Sequence, residues 1–172
     1  GTASLDDEGN GICTDQSGNI YVVGAAQNNE SSYDVTLLKY DSEGILLWSR
    51  IYYSDGGSWE DKGLGIALDA AGCIYITGYT TNTDLYTDII LRKYDSEGNV
   101  LWTSLEDGSA NLNARGICLT VGSSGNVYVG GYITSSSNGT DIFVRKYSSY
   151  GWQKWTKVIN GSGNSEDKAW GI

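Results

Sequence analysis

Residues 65–80 read GIALDAAGCIYITGYT, and residues 88–103 read DIILRKYDSEGNVLWT. The first stretch predicts two short strands joined by the Ala70-Ala71-Gly72 turn, because the second of them reads Ile-Tyr-Ile-Thr-Gly with the period-two alternation of a strand. The second predicts two more strands joined at 95–98, where Asp first and Gly last are typical of a tight turn. Together they predict four antiparallel strands at 64–69, 73–79, 88–94 and 99–105, with a polar loop at 80–87 between the middle pair.

This four-strand unit recurs along the chain. A Tyr-x-x-Gly strand end occurs at 21–24, 75–78 and 128–131, and a Lys-Tyr pair occurs at 39–40, 93–94 and 146–147. Gly-Ile pairs stand at 11–12, 65–66, 116–117 and 171–172. If the Gly-Ile pairs are equivalent, the third repeat carries a two-residue insertion before Gly125, and Cys13 and Cys118 occupy matching places. A fixed order of anchors indicates an internal repeat of about fifty residues.

The repeat predicts an all-β fold, a β-propeller built of four-stranded antiparallel blades, because units of this length and strand number form propeller blades. We predict one propeller arc over 1–172, with blades at about 6–59, 60–112 and 113–165 and with 166–172 as the opening strand of a fourth. Recurring aromatic residues are predicted to pack the blades together. These are Trp48, Trp102 and Trp155, with Tyr40, Tyr94 and Tyr147.

The two quoted segments resemble the bacterial and archaeal seven-bladed β-propeller (SBBP) repeat family, and residues 141–147 resemble it again. The resemblance covers nearly the whole chain from about Asp6. It departs at 148–151, where Ser-Ser-Tyr-Gly replaces the Asp-Ser-Glu-Gly turn. The family implies a propeller in extracellular or cell-surface proteins, with no common enzymatic activity and no catalytic motif to transfer.

Three blades are too few for a ring, since propellers contain about four or more. Two explanations stay open: the chain is a piece of a longer protein that supplies the remaining blades, or further copies of the chain complete the ring. An open arc would leave blade faces and strand edges exposed, which favours association.

Composition limits the function. The net charge of −10 argues against a nucleic-acid partner, which needs a basic surface. No apolar run reaches the roughly 18 residues of a spanning helix, so no membrane insertion is expected. The chain has no histidine, which removes a Ser-His-Asp triad and a histidine-ligated zinc. We therefore predict no enzymatic activity, with glycan cleavage by a carboxylate pair as a weaker alternative.

The loops after the second and fourth strands of each repeat are the predicted binding region. They carry the aromatic candidates Tyr33, Tyr53, Trp59 and Tyr86, which suit a sugar or a protein surface. No cofactor is expected. Recurring carboxylates at the start of the third strand are weak calcium candidates, or alternatively accept backbone hydrogen bonds within their own loops. They are Asp34, Asp88 and Asp141.

The sequence thus favours a secreted or cell-surface propeller that binds or scaffolds a carbohydrate or a protein. A structural protein whose copies join into an oligomer or a fibre is the alternative. Three N-glycosylation triplets, at Asn29, Asn138 and Asn160, matter only in a source that glycosylates its surface proteins.

Overall fold

In the computed structural model, which describes residues 5–27, 32–54, 59–107, 112–135, 139–160 and 167–171, the described residues form strands, turns and connecting segments. Blade 1 contains β1 (Asp7–Thr14), β2 (Ile20–Gln27), β3 (Tyr33–Tyr40) and β4 (Leu46–Tyr52). Blade 2 contains β5 (Lys62–Leu68), β6 (Ile74–Thr81), β7 (Thr87–Tyr94) and β8 (Val100–Glu106). Blade 3 contains β9 (Ala114–Val121), β10 (Val127–Ser135), β11 (Gly139–Tyr147) and β12 (Gln153–Ile159). Asn29 and Asn138 lie outside the described residues.

Each blade is one antiparallel sheet whose strands follow sequence order. The turns between the first two and the last two strands of each blade close on a glycine in the left-handed region, with φ between 75° and 83°. Glycine is favoured there because it has no side chain to clash with the backbone. The all-β architecture of four-stranded antiparallel blades is therefore confirmed.

The apolar cores lie between neighbouring blades. One cluster joins blades 1 and 2 and includes Tyr21, Leu37, Ile74, Ile76 and Tyr94. A second joins blades 2 and 3 through another set of buried side chains, among them Tyr75, Ile89, Leu91, Phe143 and Tyr147. Because successive residues of a strand face opposite sides of the sheet, the central strands β6 and β7 of blade 2 supply both clusters. Burial on both faces explains why β6 and β7 do not alternate simply between apolar and polar residues.

A bulge in the first strand of each blade changes the alignment of the repeats. Gly24, Gly78 and Gly131 pair with Gly9, Gly63 and Gly116, respectively. The step from the first-strand glycine to the tyrosine of the second strand is then the same in all three blades. Gly116 of blade 3 therefore aligns with Gly63 of blade 2, two positions before Gly65. The predicted two-residue insertion before Gly125 is wrong.

The same register places Cys118, not Gly116, at the position of Gly11 and Gly65. Cys118 faces Gly130, whose carbonyl oxygen is 3.6 Å from the Cys118 sulfur. In blades 1 and 2 the arrangement is reversed, with Gly11 beside Val23 and Gly65 beside Thr77. The small residue has thus moved to the partner strand in blade 3, and the predicted equivalence of Cys13 and Cys118 is also wrong.

Residues 167–171 lie against blade 3 as β5 lies against blade 1. The Asp167 N–H donates to the carbonyl of Thr140 at 2.8 Å, just as the Asp61 N–H donates to Tyr33 at 2.7 Å. Ala169 approaches Gly130, at the place where Gly63 approaches Val23. The described residues 167–171 belong to no strand, yet they occupy the opening position of a fourth repeat.

Candidate functional site

The connections from β2 to β3, β4 to β5 and β6 to β7 meet at one end of the blades, here called the loop end. Its described residues include 32–33, 53–54, 59–61 and 82–86. Strand pairing fixes this geometry. Val35 near the start of β3 pairs with Tyr52 at the end of β4, and Lys62 at the start of β5 pairs with Tyr79 near the end of β6. The opposite end carries only the tight glycine turns.

Asp61 ties blades 1 and 2 together at the loop end. Its buried carboxylate accepts hydrogen bonds from the backbone N–H of Ser54 at 2.7 Å and of Thr81 at 3.0 Å. The Ser54 hydroxyl also lies 3.4 Å from the carbonyl oxygen of Thr81. Burial raises the pKa of Asp61, although the two backbone donors oppose that rise. This bridge holds the segment after β4 beside the β6–β7 loop.

Three exposed side chains belong to the two segments that this bridge joins: Tyr53 next to Ser54, and Leu85 and Tyr86 in the β6–β7 loop. Tyr53 is 68% exposed and Leu85 is 59% exposed, while Tyr86 is at 36%. Large exposed apolar side chains that cluster on a surface indicate a binding region. We name these three residues the loop-end patch.

Leu85 has the backbone conformation that every other tight turn gives to glycine. It is the one described non-glycine residue with positive φ, at 68°, and its N–H donates to the carbonyl of Asn82 at 3.0 Å. The left-handed region is unfavourable for a branched apolar side chain. Because strained residues cluster at functional sites, the exposed Leu85 marks this turn as a candidate site.

We expect Leu85→Gly to raise the free energy of unfolding by about 1 kcal/mol, since glycine removes the left-handed strain. For a chain of this size the melting temperature should rise by roughly 2–4 °C. The reverse change at the β5–β6 turn, Gly72→Leu, should destabilise by a similar amount, because Gly72 has φ +80° and open space around it. Thermal and urea unfolding would measure both. A loss of stability in Leu85→Gly would show that Leu85 packs against the protein.

The other two predicted aromatic candidates are half-buried. The Tyr33 ring lies beneath the ammonium group of Lys62, which is 4.3 Å from the ring centroid. Lys62 in turn pairs with Glu8 at 2.9 Å and with Glu60 at 3.3 Å. Burial alone would lower the pKa of Lys62, but the two carboxylates outweigh it and raise that pKa. Tyr33 therefore belongs to the blade contact, while Trp59 is half-buried just before β5.

A cation over a tyrosine recurs along the loop end. Arg115 lies 3.9 Å from the Tyr79 ring centroid, and Lys168 lies 5.3 Å from that of Tyr132. Arg115 and Lys168 also line a polar cleft of about 460 Å³ at the loop end of blade 3. The sequence analysis did not identify either residue. The two cations give this cleft positive charge in a chain of net charge −10, and each already lies over a tyrosine ring.

The recurring carboxylates occupy matching places but different surroundings. Asp88 accepts a hydrogen bond from the Asn82 amide at 3.0 Å, and burial raises the pKa of Asp88. Asp141 is buried and Asp34 is half-buried. Within the described ranges, no group of three or more His, Cys, Asp or Glu residues could hold a metal ion. The Asn82 bond to Asp88 fits the alternative in which the carboxylate orders its own loop.

The repeated tryptophans differ in their surroundings. Trp48 and Trp102 pack against the two inter-blade clusters, edge-on to Tyr21 and Tyr75 at centroid distances of 6.2 and 6.0 Å. The Trp102 indole N–H also donates to the carbonyl of Ser149 at 3.1 Å. Trp155 occupies the matching place on the outer face of blade 3 and is more exposed. Tyr94 and Tyr147 are buried in the clusters, whereas Tyr40 is half-buried on the outer face of blade 1.

The three cysteines carry free thiols. Burial, with the nearby Asp15 carboxylate, raises the pKa of Cys13 to about 11. Burial also raises the pKa of Cys73 and of Cys118. A thiol with a raised pKa is a poor nucleophile at neutral pH, because the thiolate is the reactive form. These residues accordingly fit the strand packing better than they fit chemistry.

Comparison with known proteins agrees with this architecture. The β-propeller repeat family SBBP matches residues 1–29. This match confirms, for residues 1–29, the resemblance to that repeat family. Within the part of the chain that the structure describes, no helix is long and apolar enough to cross a membrane.

One curated relative is the regulatory protein FlaEY of Caulobacter vibrioides, 34% identical over 150 residues. The match covers 79% of this chain but only 15% of that protein. Two solved structures share the fold. A protein of unknown function from Bacteroides caccae matches with a TM-score of 0.56 at 14% identity, covering 93% of this chain and 48% of that one. A eukaryotic initiation factor matches at 0.52 and 9% identity, covering 91% and 33%, respectively.

Proposed function

We propose that this chain is a non-catalytic binding or scaffolding module of a secreted or cell-surface protein, and that it engages a protein partner through the loop-end patch. The observation that carries the proposal is Leu85. An exposed leucine held in a left-handed conformation costs stability, and Leu85 lies with the exposed Tyr86 in a loop that the buried Asp61 joins to the segment of the exposed Tyr53.

The residue types favour a protein ligand. Tyrosine gives a large contact area with few rotatable bonds, and leucine contributes apolar area that sugars use less. The relative FlaEY is a regulatory protein, which is compatible with a role in protein interaction. Carbohydrate is the second candidate, because Tyr53 and Tyr86 expose rings on which a sugar could stack.

The arrangement gives less support to glycan cleavage, the weaker alternative. Such an enzyme needs one carboxyl group as a general acid and a second as a base or nucleophile. Asp61, the buried carboxylate nearest the loop-end patch, already accepts bonds from Ser54 and Thr81. Its role there is to join two blades, which requires no chemistry.

Binding can be tested with a loop-end variant and a control variant from the opposite end. Protein fractions of the source organism and a glycan array are offered to the wild-type chain, to Leu85→Asp/Tyr86→Ala and to Ile45→Ala. Ile45 is 63% exposed in the β3–β4 turn and serves as the control. We expect wild type and Ile45→Ala to retain the same protein and the loop-end variant to lose at least about tenfold in affinity, the effect of a single interface anchor.

Other outcomes would change the proposal. Equal retention by all three chains would place the binding surface elsewhere. Retention of glycans alone, lost in the loop-end variant, would replace the protein partner with a carbohydrate. Fractionation of the source cells, with protease treatment of intact cells, would test the proposed location, since a surface protein should be cleaved without lysis.

A further inference from the structure

The two outermost blade faces are open in the structure. Blade 1 turns Ile12, Val22, Leu38 and Ile51 away from blade 2, and a groove of about 560 Å³ lies beside them. We call this the first open face. Blade 3 turns Tyr128, Trp155, Lys157 and Ile159 away from blade 2, and we call this the last open face. Each open face corresponds, position by position, to a face that is covered at an internal blade contact.

One pair of positions shows how the blades recognise each other. Between blades 1 and 2, the Arg92 guanidinium lies 4.5 Å from the Tyr52 ring centroid. Between blades 2 and 3, the matching residues Arg145 and Glu106 form an ion pair at 3.5 Å. Strand register makes Ile159 and Leu38 the matching residues on the last and first open faces. Both residues are apolar. A contact between Ile159 and Leu38 would therefore be chemically matched, like the Tyr52–Arg92 and Glu106–Arg145 contacts.

A second pair joins the outer strand of one blade to the β-turn of the next. Arg50 on β4 donates to the carbonyls of Gly98 at 2.8 Å and Glu97 at 2.7 Å. At the next contact both positions are uncharged, with Ser104 on β8 and Tyr150 in the turn. On the open faces the matching residues are Lys157 and Glu43, which carry opposite charges and are both exposed.

The turns between the third and fourth strands differ in what packs against them, and the β3–β4 turn of blade 1 is the open one. A Cβ at Gly98 would lie 3.0 Å from Arg50, and one at Gly151 would lie 2.9 Å from Trp102. A Cβ at Gly44, the matching residue of blade 1, would meet no atom of the described residues within 4 Å. Trp155 and Lys157 of the last open face are the residues that correspond to Trp102 and Arg50. The first open face is therefore shaped for the residue types that the last open face presents.

We infer that the last open face of one copy packs on the first open face of a second copy, so that the chain assembles head to tail. Ile159 then covers the partner's Leu38, and Lys157 reaches the partner's β3–β4 turn at Glu43, as Arg50 reaches the backbone carbonyls of Glu97 and Gly98. Head-to-tail contacts close into a ring when the rotation permits. Two copies of three blades would give six, within the roughly four to eight of known propellers. This inference concerns the blade faces and does not depend on the loop-end patch.

The assembly requires one local rearrangement. The β1 strand of the second copy would need the place now taken by residues 167–171. Its contacts include the bond from Asp167 to Thr140 and the contact of Lys168 with Tyr132, and its described residues form no strand. β1, by contrast, is paired with β2 along its length. The segment without strand pairing gives way, and Lys168→Ala, which removes one of its contacts, should therefore strengthen association.

A charge exchange tests the contact on the complete chain. Sedimentation equilibrium over a concentration series should show wild type passing from the 18.5 kDa of one chain to twice that mass. Lys157→Glu and Glu43→Lys should each weaken association about tenfold or more, because like charges then face each other at an interface. The double variant should recover most of the loss. Lys154→Glu and Asp84→Lys, at exposed positions with the same changes of charge, serve as controls.

Circular dichroism would establish that each variant keeps its strands. A wild-type chain that stays monomeric at every concentration would overturn the inference. So would association that neither charge reversal affects, or a double variant as weak as the single ones. Weaker association in Lys168→Ala would show that residues 167–171 belong to the contact. It would overturn the inference that the second copy displaces them.

Discussion

Trp102→Ala is expected to lower the free energy of unfolding by about 3–5 kcal/mol, the usual cost of removing a large core aromatic side chain. Trp102 packs against the cluster between blades 2 and 3, meets Tyr75 edge-on and donates to the carbonyl of Ser149. Its truncation removes apolar contacts and leaves that carbonyl without its partner. For a chain of this length, urea unfolding resolves such a change easily.

Trp155→Ala is the matched control, since Trp155 holds the same place in blade 3 but is 39% exposed on the last open face. At a concentration where the chain is monomeric, it should cost less than half as much as Trp102→Ala. If both variants unfold at the same denaturant concentration, the tryptophan stabilises its own sheet and the inter-blade contact contributes little.

Gly78→Ala is expected to destabilise by about 3 kcal/mol or more, at or above the upper end of the range for overpacking. A methyl group at Gly78 would overlap the backbone carbonyl oxygen of Lys62 across the β5–β6 bulge. Backbone atoms of a paired strand cannot rotate aside as a side chain can. The substitution should therefore separate β5 from β6 and weaken both inter-blade clusters.

Gly9→Ala gives a matched comparison at a first-strand bulge. Its nearest neighbour would be the Val22 Cγ1 atom at 3.7 Å, an ordinary contact. The expected change in the free energy of unfolding is within about 0.5 kcal/mol, as for most exposed substitutions. Equal losses in Gly78→Ala and Gly9→Ala would mean that the general entropy of glycine, and not the close backbone approach, determines the effect.

The strands and tight turns could be read from the sequence because they depend on local residue types. The predicted strand at 73–79 is observed at Ile74–Thr81, and the turn at 95–98 closes on Gly98 with φ +79°. The alignment of the third repeat could not be read in this way. Its Gly-Ile pair looked equivalent to the others, but spatial equivalence is set by the cross-strand partner of each glycine, and Gly116 pairs with Gly131.

The candidate site was predictable only in part. Aromatic residues in polar loops indicated the region, and Tyr53 and Tyr86 are exposed there, whereas Tyr33 lies under Lys62. Leu85 was missed, although its signal was present: Asn82 to Leu85 follows the Asp-x-x-Gly turn pattern with leucine in place of glycine. Arg115 and Lys168 could not be found, because their tyrosine partners are distant in sequence.

In blade 3 the glycine of one cross-strand pair lies on the second strand (Gly130) and the larger residue on the first (Cys118), the reverse of blades 1 and 2. Each blade face is therefore matched to one particular neighbouring blade. Gly63 and Gly116 must lack a side chain, because Val23 and Thr77 fill the facing space; opposite Gly130, the chain carries Ala169. A gene duplication that placed a blade with that alanine after blade 1 would bring a methyl group against Val23. A copied blade can therefore be added to such a protein only when the residues on both sides of each new inter-blade contact change together. We expect chimeras that keep natural neighbouring blades together to fold, and chimeras with reordered blades to fail.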